Sequence, residues 1–540
     1  MSELFSHLST VHVKQSGLWQ SLAGIIVAIL TASAWTVFRN RRNLHGVLSL
    51  SQLRGPESPS WIKDGSVVQV KGFLGRSILY TFDPKAMHQI LVKDASSFQP
   101  HRIDTGGLVL GKGLLTTMGE QHRKQRKMLN PVFSIAHMRS MMPIFNDVVD
   151  QLRVALQERV QDGPREVNSE SFSQEYTSSQ ELSQIDILNW MARTALELIG
   201  QSGFGYSFDN LVDDIPKNKY SIIIKDLVTY LLPLAVKILP TNIRTLIMNI
   251  LPWKTLHDVR DMSNYMHQLS VDIYEEKKRA LEEGDEAVIN QIGKGKDLLS
   301  IMMKDNMKAA SEDRLEEAEI IGQMSTFIFA AMDTTSSGMS RILHLLSLHS
   351  EVQDKLRQEI IAARRERRDG QLTYDELVEL PYLDAVCRET LRLSVADTII
   401  PLSKPVRGMD GNEVTEIFVP KSTTVVISIL NSNRDPELWG TDALEWKPER
   451  WLAPLPESIL KTKIPGIYSH LMTFSGGSRA CIGFKFSQLE MKVVIAMLIE
   501  NFKFSPSVNK EIFWQMSGVA SPVVAAENGH PQLPLTVEST

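Results

Sequence analysis

Cysteine is nearly absent: 540 residues contain two, Cys387 and Cys481. Two thiols cannot build a disulfide framework or a zinc site with three or four thiolate ligands. None of the thirteen histidines stands in an H-x3-H or HExxH arrangement that would complete a mixed site. An excess of either charge is missing too. Against 58 Lys+Arg the chain sets 63 Asp+Glu, a net charge of -5, so no overall basic field exists to hold nucleic acid. Nucleotide-binding loops are also missing. Gly106-x4-Gly111-Lys112 has the outline of a phosphate loop, but Gly113 stands where Ser or Thr should bind magnesium, and no apolar strand precedes it. No GxGxxG unit joins a strand to a helix. What remains is an ordinary globular composition, 43% hydrophobic and 22% charged.

One long apolar run is present. Leu18 to Phe38 is uncharged and matches the ~20 residues that cross a bilayer. A cleaved signal peptide has a shorter apolar region and carries its positive charge on the N-terminal side. Here Arg39, Arg41 and Arg42 follow the run, which places the rest of the chain in the cytosol. The expectation is an N-terminal membrane anchor over 1–38 and a basic, then Pro/Gly/Ser-containing linker over 39–60. A single domain follows over 61–540.

Within that domain, Val68 to Phe82 alternates like a strand hairpin, and helical periodicity dominates from Pro84. Asp162 to Ser183 reads as a polar surface loop. Tyr220 to Leu251 is apolar but broken by Pro233, Pro240 and Pro252, so it is core or a surface lid. An amphipathic helix is expected over Glu316 to Ser347, and strands over Val414 to Leu430. The fold class is mainly α, an α+β arrangement with a smaller, separate set of strands.

The most informative segment is Phe474-Ser475-Gly476-Gly477-Ser478-Arg479-Ala480-Cys481-Ile482-Gly483, which leads into a helical pattern over Phe484 to Asn501. A cysteine between a Gly-rich turn and a helix start sees free amide donors and the positive end of the macrodipole, which stabilise a thiolate. A lone cysteine is more often a small buried hydrophobe. Its neighbours decide otherwise, because together they resemble the haem-binding signature F-x-x-G-x-R-x-C-x-G of the cytochrome P-450 family. The resemblance implies the P-450 fold and haem b (iron protoporphyrin IX) with Cys481 as its axial thiolate. It implies Arg479 as a propionate partner. Phe474, Gly476 and Gly483 become cofactor contacts, with Gly476, Gly477 and Gly483 admitting the porphyrin close to the backbone.

Other segments resemble the same family. Glu389-x-x-Arg392 and Pro448-Glu449-Arg450-Trp451 correspond to its structural triad, implying that Glu389, Arg392 and Arg450 serve folding rather than chemistry. Ala330-Ala331-Met332-Asp333-Thr334-Thr335 resembles the oxygen-activation element, with Ala331 in place of the usual glycine. The Thr334 hydroxyl can bond back to the Ala330 carbonyl and open the helix locally. Asp333 and Thr334 then form an acid–alcohol pair that passes protons to the oxygen site. His122-x-x-x-Arg126 resembles the family's propionate-contacting helix. The flanking Arg123, Lys124 and Lys127 are either a solvated face or a docking patch for an acidic reductase.

The implied activity is insertion of one atom of O2 into a lipophilic small molecule, with a terpenoid of secondary metabolism as the leading substrate. Fatty-acid or aromatic substrates, a haem-thiolate isomerase or dehydratase, and a haem-binding protein without turnover are the other readings. Electrons are expected from a separate NADPH–cytochrome P-450 reductase, with cytochrome b5 as an additional donor. The implied location is the endoplasmic reticulum membrane, with the catalytic domain cytosolic. Met324, Phe327, Met516 and Val519 are the expected pocket liners.

Overall fold

The computed structural model describes residues 66–71, 77–98, 110–162, 184–212, 254–284, 286–287, 293–367, 371–393, 406–407, 413–414, 417, 419, 423–517, 519–525 and 530–540. The apolar run Leu18 to Phe38, the linker after it, the polar stretch 163–183 and the Pro-broken stretch Tyr220 to Leu251 lie outside these residues. No helix among the described residues is long and apolar enough to cross a membrane.

The described residues fall into two compact units. One holds those up to Thr81 together with those between 402 and 426. Its strands β1 (Val67–Lys71) and β2 (Ser77–Thr81) pair antiparallel, Val67 opposite Thr81, as the alternating pattern predicts. Val67 and Leu79 are buried there against Ile417, Val419 and Val425. The short strands β3 (Val406–Arg407) and β4 (Glu413–Val414) also pair. Strand β5 (Thr424–Ile427) lies beside β2. The stretch expected as strand through Leu430 ends early: the Ser428 hydroxyl accepts from the Asn431 N–H and caps a short helix, Ile429–Arg434.

The second unit, Phe82–Pro401 with Ile427–Thr540, holds the helices and the main core. They are α1 (Gly119–Leu129), α2 (Ile135–Asp162), α3 (Ile187–Ile199), α4 (Lys254–Glu283), α5 (Leu298–Lys308), α6 (Glu317–Leu348), α7 (Ser350–Arg365), α8 (Pro381–Leu393) and α9 (Phe484–Asn501). Helix α6 was expected to be amphipathic, but it is buried on nearly every side. It packs against α3, α4, α8 and α9, and its buried faces carry small polar residues such as Ser336 and Ser340 beside the apolar ones. Its start is fixed by a reciprocal capping box between Glu316 and Glu319. Strand β7 (Leu471–Gly476) pairs with β6 (Gly466–Tyr468) and delivers the chain to Cys481 at the foot of α9.

Candidate active site

The site lies where the middle of α6 faces the turn before α9. Along α6 burial is almost unbroken except between Phe329 and Thr334, where Thr334 is exposed. Opposite it, Cys481 is exposed too, although burial pushes its thiol pKa up. A side chain that water can touch but that protein atoms desolvate faces an internal cavity. The lining residues confirm this: Ala330, Ala331, Thr334 and Thr335 on α6, with Phe474, Cys481, Ile482 and Gly483 opposite. Phe133, Phe327 and Phe486 add an apolar wall.

The turn that presents Cys481 is built from backbone contacts. The Cys481 N–H donates to the Phe474 carbonyl at 2.9 Å. The Gly483 N–H donates to the sulfur, and this bond together with the Arg126 charge opposes the upward shift from burial. Phe474 stacks obliquely on Phe484, their centroids 6.2 Å apart. The glycines behave differently from expectation. Gly476 does not line the cavity. A Cβ there would come within 2.1 Å of the Pro465 carbonyl oxygen, so glycine is needed for strand packing. Counted back from Cys481, the glycine of the signature is Gly477, whose φ of +70° suits glycine and whose missing Cβ leaves room for the Leu91 carbonyl. Gly483 does line the cavity. The second thiol, Cys387, is buried in α8 and burial pushes its pKa up to about 12, so it is inert packing.

One rim of the cavity is cationic. His122 and Arg126 from α1 and Arg479 from the turn converge there, and no carboxylate is among the described lining residues. Burial lowers the His122 pKa to about 4, helped by the Arg479 and Arg126 charges, so it stays neutral. Burial and the neighbouring Arg126 lower Arg479 as well. Arg126 donates to the Ala480 carbonyl and Arg479 to the Thr117 carbonyl, each at 2.7 Å. These two half-buried guanidiniums face no carboxylate among the described lining residues, so an anion placed beside them is stabilised. A mostly apolar cavity with one accessible thiol and such a rim fits haem, whose two propionates supply that anion.

The Thr334 hydroxyl donates to the Ala330 carbonyl at 2.7 Å, as expected, yet α6 remains α-helical throughout, so the turn is not visibly opened. Asp333 is not among the residues lining the cavity. Of the expected pocket liners, Phe327 lines the cavity, Met324 is fully buried in the core, and Val519 is not on its wall. The side chain of Met516 lies outside the described residues.

Glu389, Arg392 and Arg450 meet away from the cavity. Arg392 donates to both Glu389 oxygens at 2.9 and 2.7 Å with both side chains fully buried, and Arg450 Nε donates to Glu389 Oε1 at 3.4 Å. Sequence reasoning missed two further members. Trp451 Nε1 donates to Glu389 at 2.9 Å, and Asp442 accepts from Arg450 at 2.7 Å. Trp451 was in view as the last residue of the Pro448 segment, whereas Asp442 carried no signal.

Fold and site together define a haem-thiolate oxidoreductase. The chain matches the cytochrome P450 family over residues 63–524. It is 50% identical over 497 residues, 88% of each chain, to cytochrome P450 monooxygenase 91 of Postia placenta. It is 44% identical over 550 residues, 96% of each, to cytochrome P450 monooxygenase 81 of the same organism. A ganoderic acid synthetase of Ganoderma lucidum is 43% identical over 499 residues, 88% of each chain. The chain therefore belongs to the cytochrome P450 family: it is a monooxygenase that uses haem with a cysteine thiolate as axial ligand.

Proposed function

We propose that Cys481 is the axial ligand and that this monooxygenase oxidises a lipophilic small molecule of secondary metabolism, with a terpenoid as the leading candidate. The observation that carries the ligand assignment is the accessible Cys481 thiol facing the cavity, against a second cysteine sealed in α8. When bound, the haem activates dioxygen for insertion of one oxygen atom into the substrate. The chain's own residues then have separate tasks. The Gly483 N–H bonds the sulfur and tunes its basicity. Arg126, Arg479 and the neutral His122 hold the propionates. Thr334 Oγ1, on the cavity wall, carries protons inward, with Asp333 as the acid behind it. Phe327, Phe133 and the wall around them exclude water from an apolar substrate. The name of the Ganoderma lucidum relative supports a biosynthetic role.

Electrons come from a separate NADPH–cytochrome P-450 reductase of the microsomal type, with cytochrome b5 as an additional donor. The exposed Arg123 and Lys127 on α1 suit an acidic partner, although each also pairs locally, with Glu120 and Asp313. In this reading Leu18 to Phe38 anchors the chain in the endoplasmic reticulum membrane, residues 39–60 form the linker, and 61–540 face the cytosol as the haem domain. The test is a carbon-monoxide difference spectrum of the reduced protein. Wild type gives the thiolate-type band and Cys481→His loses it. A Cys481→His protein that retains the band overturns the ligand assignment.

A further inference from the structure

A buried polar chain runs from the cationic rim into the start of α6, and the mechanism above does not use it. Arg479 donates to the Thr117 carbonyl at 2.7 Å. The Thr117 hydroxyl donates to Gln125 Oε1 at 2.8 Å. Gln125, fully buried on α1, sends its amide N–H groups to the Lys112 carbonyl and to Glu319 Oε1, each at 2.9 Å. Glu319 also accepts from Gln121 at 3.1 Å and from the Glu316 backbone N–H at 2.9 Å. Every donor in this chain has a direction, because an ionised Glu319 can only accept and so forces the Gln125 amide outward to it and the Gln125 oxygen toward Thr117. The segment 112–117 is held a second time by α6, where Gln323 Oε1 accepts from the Leu114 N–H at 2.9 Å. It is thus clamped from two helices, and the carbonyl at its end is the one that fixes Arg479 against repulsion from Arg126.

We propose that Gln125, backed by Glu319, is a positioning residue for the haem edge: acting through Thr117 it holds Arg479 where a propionate needs it. This rests on the reading of Arg479 as a propionate partner. The test uses the full-length holoenzyme and three variants, Gln125→Leu, Thr117→Val and the conservative Thr117→Ser. The readouts are the rate of haem transfer to excess apomyoglobin and the midpoint reduction potential. Gln125→Leu and Thr117→Val should keep the thiolate-type carbon-monoxide band, lose haem about tenfold faster, as expected for one weakened charge-assisted hydrogen bond, and shift to a lower potential as the cation loosens. Thr117→Ser should match wild type. The control is Gln353→Leu, because Gln353 is an equally buried glutamine bonded to the Leu346 and Phe504 backbone far along the chain. It should lose stability with no change in potential.

If Gln125→Leu fails to accumulate, the Thr117 pair decides alone. Equal haem loss and potential in Thr117→Val and Thr117→Ser, or the same potential shift in Gln353→Leu, overturns the inference. A wild-type protein that lacks the thiolate-type band defeats the reading of the site instead.

Discussion

Replacing Glu389 with glutamine is the sharpest test of what holds the haem domain together. Its carboxylate accepts five hydrogen bonds: two from Arg392, one from the Lys447 N–H at 3.1 Å, one from Arg450 and one from Trp451. Glu389→Gln keeps the shape but removes the charge and turns one acceptor into a donor facing a guanidinium. Arg392 keeps its bonds to the Asn433, Ala443 and Glu445 carbonyls, so it is not stripped bare. Two arginine charges nevertheless lose their shared anion in a place without water, since the Glu389 and Arg392 side chains are fully buried and Arg450 nearly so. Breaking one side of such a buried pair costs about 3–5 kcal/mol. Against a typical total of about 5–15 kcal/mol, that removes a large share of the stability. The assay is urea denaturation followed by fluorescence, with the haem-to-protein ratio measured in parallel. The internal comparison is Arg139 with Asp375, which bond with contacts as short as 2.8 Å but in the open. Asp375→Asn should leave the midpoint unmoved, because solvent screens that pair. If Glu389→Gln shifts the midpoint no more than Asp375→Asn does, burial is not what gives the triad its weight.

Thr334→Ala should lower product formation on the order of 10²-fold, the usual weight of a lost proton donor, while NADPH consumption with a reductase continues; product and NADPH are quantified together, and unchanged coupling removes Thr334 from the proton route. His344 accepts from Trp514 Nε1 at 2.9 Å through its neutral ring, and burial lowers its pKa to about 4. Between pH ~6.5 and ~4 the unfolded chain therefore binds a proton there that the folded chain refuses, so stability falls as pH drops through that window and is flat above it. Denaturation midpoints at pH 7, 6 and 5 should show a smaller fall for His344→Gln than for wild type. Gly113→Ala should destabilise by about 1–3 kcal/mol, because its Cβ would sit 2.3 Å from the Gly322 carbonyl oxygen, which is helix backbone that cannot yield; a thermal midpoint equal to wild type would contradict that contact.

What the sequence made readable follows from the range of the forces involved. The start of α9 at Phe484 and the hairpin of β1 and β2 were visible because short-range periodicity and glycine punctuation encode them. The pairing of Glu389 with Arg392 was visible because three residues on one helix face fix it. The all-round burial of α6 was not, since it depends on helices that arrive from distant parts of the chain. Gln125 and Glu319 lie 194 residues apart, and no local pattern links them. Gly476 owes its identity to the same kind of contact: a Cβ there would strike the carbonyl of Pro465, eleven residues earlier and just before the paired strand.

The cavity itself is encoded by residue types at sites where core packing would choose others. A buried helix ordinarily fills its faces with large side chains, yet α6 places Ala330, Ala331, Thr334 and Thr335 on the wall of the cavity that Cys481 also lines. Small residues on one wall and a thiol on the other leave a gap that the apolar collapse of the chain does not close. The cations around its rim repel one another when the gap holds no anion. Both features cost stability in the free protein, and both are relieved by a flat anionic cofactor. Haem should therefore stabilise the second unit well beyond the contacts of its ligand alone: Cys481→Ser, even where it retains weakly bound haem, should melt below wild type but above the haem-free protein. A Cys481→Ser holoprotein that melts together with the haem-free form would show that the thiolate, and not the filled cavity and neutralised rim, supplies the linkage.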